Sequence, residues 1–119
     1  MSSNIRQIVY ALFAIIGACV TWYFNFQIIQ SPAGLSLPIF IADNYVNAAS
    51  ASVTNDLLAV TAVFLFWSFG EARKLGMKHW WLYIPLTFGV AIAFAYPLFL
   101  LMRERRLAQL ASPPHELPL

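Results

Sequence analysis

A chain of 119 residues that is 61% hydrophobic and only 10% charged is not an ordinary soluble domain, where about a quarter of residues carry charge. Seven Lys and Arg against five Asp and Glu leave a net charge of +2, and no basic surface with interleaved aromatics exists, so nucleic acid is excluded as a partner. The length allows one structural unit, and the single cysteine, Cys19, rules out an internal disulfide.

Three apolar runs set the expected architecture. It is all-α: an integral membrane bundle of three transmembrane helices in residues 1–106, with an interfacial connector between the first two and a mobile Pro-rich tail over 107–119. Span one covers about 8–29. Ala11, Ala14, Ala18, Thr21 and Asn25 recur along it at spacings of three and four, a stripe of small side chains that lets membrane helices approach closely. Trp22 and Tyr23 suit the far interface. Cys19 follows Ile16-Gly17-Ala18, a loose lipoprotein-like box, but the apolar run continues to Ile29. That is longer than a signal-peptide core, so an uncleaved helix is favoured.

Ser31-Pro32 and Gly34 break the helix, and the apolar Leu37–Ile41 is too short to cross. Asp43 and Asn44 are candidate N-caps for the second crossing helix. Span two covers about 51–70. Asn47, Thr54, Thr61 and Ser68 fall seven apart along it, joined by Ser50, and form a candidate packing seam. The plainer alternative has the short hydroxyls bonding back to their own helix. Glu71–His79 is a polar turn in which Gly76 suits a helix C-terminus. Span three covers about 80–102. Trp80, Trp81 and Tyr83 open it as an interfacial belt, Gly89 and Ala93 form a small-xxx-small pair, and Pro97 frees the Ala93 carbonyl and kinks the helix.

In span two Asp56 lies inside the apolar segment, where a carboxylate costs about 2.5–3.5 kcal/mol. Counting from the span ends puts Asn25, Asp56 and Tyr96 at one depth, roughly 6–9 Å below the surface. A polar cluster of Asn25, Thr54, Asn55, Asp56 and Tyr96, with Pro97 beside it, is therefore expected. It serves either to pin the helices in register or to hold a proton or cation. The first use is favoured because no second acid lies at that depth to form a relay. The Asp56 face and the Asn47–Thr54–Thr61–Ser68 face are nearly opposite, since the two residues from Thr54 to Asp56 turn a helix by about 200°. One face is thus left for a homo-oligomer or a larger membrane complex. With N-terminus and Glu71–His79 turn on one side, four basic residues face three, a slight N-inside preference.

Catalytic chemistry is not evident. His79 and His115 are a whole span apart, and no nucleophile–base set, phosphate loop or metal spacing occurs. His79 beside Trp80-Trp81 could ligate a tetrapyrrole, though a histidine at headgroup level explains it more simply. No cofactor, no metal and no enzyme activity are expected.

Asn47-Ala48-Ala49-Ser50, Asn55-Asp56-Leu57, Glu71-Ala72-Arg73-Lys74-Leu75-Gly76 and Tyr96-Pro97-Leu98-Phe99-Leu100, with Arg103-Glu104 beyond them, together resemble a bacterial family of small three-span membrane proteins, domain of unknown function 2834. The resemblance draws attention to Asn47, Asp56, Glu71, Arg73, Pro97 and Glu104, and implies no activity, substrate or cofactor. The expectation is a multi-pass protein of a bacterial inner membrane or equivalent, surrounded by lipid. It acts as an accessory or scaffold subunit through helix–helix contacts. Two alternatives are an oligomeric ion- or proton-coupled carrier centred on Asp56 and a binder of lipophilic ligand or pigment.

Overall fold

Two long apolar runs become two long helices. The computed structural model describes residues 2–32, 34 and 36–111. In it α1 spans Ser3–Gln30, α2 Leu37–Asp43, α3 Ala48–Lys74, α4 Tyr83–Gly89 after a 3₁₀ turn at Trp80–Leu82, and α5 Ile92–Ala111. No strand occurs among the described residues. Of these helices α1 and α3 are long and apolar enough to cross a membrane.

Local chemistry accounts for most of the boundaries. Ser2 accepts from the Ile5 amide to start α1. Pro38 sits in the first turn of α2, where its missing N–H costs nothing. At the start of α3 the Asn47 side chain accepts from the Ser50 amide at 2.8 Å and Ser50 answers the Asn47 amide, a capping box. The cap is therefore Asn47, not Asp43 or Asn44. Asp43 instead ends α2, and the Asn44 side-chain amide donates to the Phe40 carbonyl. Gly76, at φ +70°, turns the chain out of α3 while the Met77 amide bonds back to the Ala72 carbonyl at 2.8 Å.

The expected third span is not one helix. The rings of Tyr83 and Phe99 lie 5.1 Å apart, whereas a continuous helix would hold residues so spaced about 24 Å apart. The chain reverses at Val90–Ala91, so α4 and α5 form a helical hairpin. Contacts with α3 fix its direction. Arg103 meets Glu71 and Arg106 meets Leu75, at chain separations of 32 and 31, so α5 runs parallel to α3. Arg6 meets Glu104 and Trp22 meets Val90, at separations of 98 and 68, so α5 runs antiparallel to α1. The start of α1 and the ends of α3 and α5 thus share one end of the molecule. The C-terminal part of the chain was expected at the opposite end. Its helix continues to Ala111, past the expected boundary at 106, and the rest of that tail, 112–119, lies outside the described residues.

The core sits where the hairpin meets α3. Phe64, Ala72, Tyr83, Ala95 and Phe99 are buried together, Phe64 stacks on Tyr96 at 4.5 Å, and Trp67 meets Phe99 edge-on at 5.3 Å. Thr61 and Ser68 are buried on the same face, and their hydroxyls also donate to Leu57 and Leu65 carbonyls of their own helix. Of the expected seam only these two pack, and both also back-bond, whereas Asn47 and Ser50 are taken up by the capping box and Thr54 by Asn44. On the other side α1 packs against α5 and not against α3. Ala14 is buried there, and the closest approach is at Gly17, where a Cβ would overlap the Ala93 carbonyl oxygen.

Candidate functional site

The hairpin tip is built by a defect in hydrogen bonding. Val90 and Ala91 amides both reach back to the Leu86 carbonyl, and the Ala91 carbonyl starts α5 by accepting from the Phe94 and Ala95 amides. This leaves the Val90 carbonyl without a helical partner, and the Trp22 indole donates to it at 2.8 Å. Trp22 was expected at a far interface. It is the side chain that joins α1 to the tip, and nothing in its sequence neighbourhood signals a carbonyl 68 residues away. Gly89 was expected to pack with Ala93. It stands exposed at the tip with open space where a Cβ would be, because the helix breaks between the two. Trp22, Asn25, Phe88 and Gly89 line a groove of about 340 Å³ with Leu37 and Phe40 of α2.

The expected polar cluster does not assemble. Tyr96 was placed level with Asp56 by counting along a third span running outward, but α5 runs the other way. Tyr96 lies beside Phe64, eight residues and so about 12 Å along α3 from Asp56. Asn25 faces the hairpin tip. Asn55 accepts from the Tyr45 hydroxyl at 2.8 Å, and Thr54 donates to Asn44 at 3.3 Å, which ties α3 to the segment after α2. The Ala93 carbonyl freed by Pro97 meets Gly17, not a polar side chain. Asp56 is exposed, and no hydrogen bond or ion pair reaches it among the described residues. Among the buried residues of α3, Thr61 comes first along the chain, so the half of the helix that carries Asp56 has no other helix upon it.

Charge collects at the opposite end. Arg6 donates to Glu104 at 2.7 Å and Arg103 to Glu71 at 2.9 Å, joining α1 to α5 and α5 to α3. Arg106 donates to the Leu75 carbonyl at 2.7 Å, covering the end of α3. The hydrogen bond from Arg6 holds the Glu104 carboxyl below its ordinary value. All seven Lys and Arg of the chain lie at this end: Arg6, Arg73, Lys74, Lys78, Arg103, Arg105 and Arg106. His79 is exposed just before the 3₁₀ turn. Among the described residues no group of His, Cys, Asp and Glu is placed to hold a metal ion.

A family model described as protein of unknown function DUF2834 matches residues 9–105. The chain belongs to this family. The match takes in most of α1, all of α3 and α4, and α5 as far as Arg105, so the reversal at Val90–Ala91 lies inside the DUF2834 region. No curated protein and no solved structure matches the chain. Of the six residues the resemblance emphasised, five have structural work within one chain. Asn47 caps α3, Glu71 and Glu104 take ion pairs, Arg73 lies 5.5 Å from the Phe69 ring, and Pro97 frees the carbonyl that Gly17 meets. Asp56 is left with no such task.

Proposed function

We propose that this DUF2834 chain is an integral membrane subunit that acts by helix–helix contact, docking another membrane helix on the half of α3 that carries Asp56. In this reading α1 and α3 cross the bilayer. The hairpin enters from the charged end and turns back, since the stretch from Trp80 to Gly89 rises only about 15 Å, half a hydrocarbon core. Exposed Ile8, Phe13, Ile16 and Phe24 on α1 and Val53, Val63 and Phe66 on α3 supply the apolar surface that lipid would cover. The crowding of all seven cations at one end supports an orientation with that end inside.

The observation that carries the proposal is Asp56 itself. It stands about 12 Å into α3 from its start, exposed, among exposed Val53, Leu57 and Val60. A lipid-facing carboxylate costs about 2.5–3.5 kcal/mol at the helix centre and less toward the surface, and a neighbouring helix that hydrogen-bonds it offsets that cost. The partner is a second copy or another membrane protein. A photocrosslinker at Val53 or Val60, activated in native membranes, should trap a polypeptide, and Asp56→Ala should reduce the yield. Asp56→Asn, which keeps the hydrogen-bonding shape, should not. Crosslinks to lipid alone would remove the docking role.

A further inference from the structure

We infer that the turn between α3 and the 3₁₀ segment is a binding surface for anionic phospholipid headgroups, an inference that rests on the membrane reading above. Among the described residues two of the seven cations take ion pairs, Arg6 with Glu104 and Arg103 with Glu71. Arg73, Lys74 and Lys78 are exposed, and no carboxylate pairs with them among the described residues. The three are gathered over six positions around Gly76, and the fold brings an aromatic stack beside them. Phe69 meets Trp80 edge-on at 4.8 Å, and the Arg73 guanidinium lies 5.5 Å from the Phe69 ring. The side chain of Arg73 is thereby laid along the aromatic surface with its charge at the end of the apolar zone, the posture of a snorkelling cation.

What chooses the partner is the surface next to these charges. Phe66, Phe69, Trp81 and Ile84 are exposed, within one to three helical turns of the cations on the same segments. A nucleic acid or an acidic soluble protein would bring its negative charge without covering that apolar zone. A phospholipid brings phosphate and acyl chain together and meets both. Trp81 suits the boundary between them.

The native tryptophans provide the readout. The full chain is placed in vesicles of mixed phosphatidylcholine and phosphatidylglycerol, with bromine on the acyl chains of one lipid or the other. Quenching by brominated phosphatidylglycerol should exceed quenching by brominated phosphatidylcholine at low salt, and the excess should shrink in high salt. A surface cation contributes about fivefold in affinity for an anionic membrane. The R73Q/K74Q/K78Q variant should therefore lose most of the excess while remaining quenched by both lipids. Equal quenching by both lipids in the unsubstituted chain overturns the headgroup site and leaves membrane insertion standing. Quenching by neither overturns insertion itself.

Discussion

At the scale of single residues, Gly17 and Glu104 set how closely the helices meet and how the charged end holds. Gly17 is where α1 touches the backbone of α5. In a helix Ala is preferred to Gly by about 1 kcal/mol, but here the added methyl would strike a backbone carbonyl that cannot rotate aside, which costs about 1–3 kcal/mol. Gly17→Ala should therefore be net destabilising, whereas Gly70→Ala, in open space on α3, should be neutral or stabilising. Unfolding in mixed detergent would read the two signs, and a gain at both would remove the close contact. Glu104 gives a pH dependence. Folding lowers its carboxyl pKa, so its contribution is fully present above the unfolded value of about 4.3 and is lost as pH falls through the lower folded value. An acid titration of stability should show a loss below about pH 4 that is absent in Glu104→Gln. A loss unchanged in that variant would place the titrating group elsewhere.

At the scale of elements, α1 and α3 are legible because a long apolar run has few other ways to satisfy its backbone. So are the packing of Ala14, Thr61 and Ser68, the turn at Gly76 and the shortness of α2, all from spacing and local residue chemistry. The hairpin is not legible. Trp80 to Met102 has the length and composition of one crossing, and its two prolines, Pro85 in α4 and Pro97 in α5, both lie away from the reversal at Val90–Ala91. The reversal carries a long-range bond from Trp22 to the Val90 carbonyl, and no local pattern contains it. Because the depth of Tyr96 was counted along that single crossing, the expected cluster around Asp56 failed with it. Trp22→Phe keeps an aromatic ring and removes the donor, leaving a carbonyl unsatisfied at about 1–3 kcal/mol. Lower thermal stability in detergent is expected, and an unchanged midpoint would show the tip to be held by other contacts.

At the scale of the whole molecule, the reversal redistributes charge. Three crossings would divide the cations four against three, whereas the hairpin returns Arg103, Arg105 and Arg106 to the end that already holds the others. In a Cys19→Ala background, Lys78→Cys and Arg105→Cys should both react with an impermeant thiol reagent from the same side of a sealed membrane. Reaction from opposite sides would restore the third crossing. The hairpin also has a consequence for assembly. Since α1 and α3 each pack on it and not on each other, neither early helix has a mate when it leaves the ribosome. On the membrane reading proposed above, the two would stay strangers until the last-made segment slips between them, and a chain interrupted before Trp80 would yield two separate rods with no shared interior.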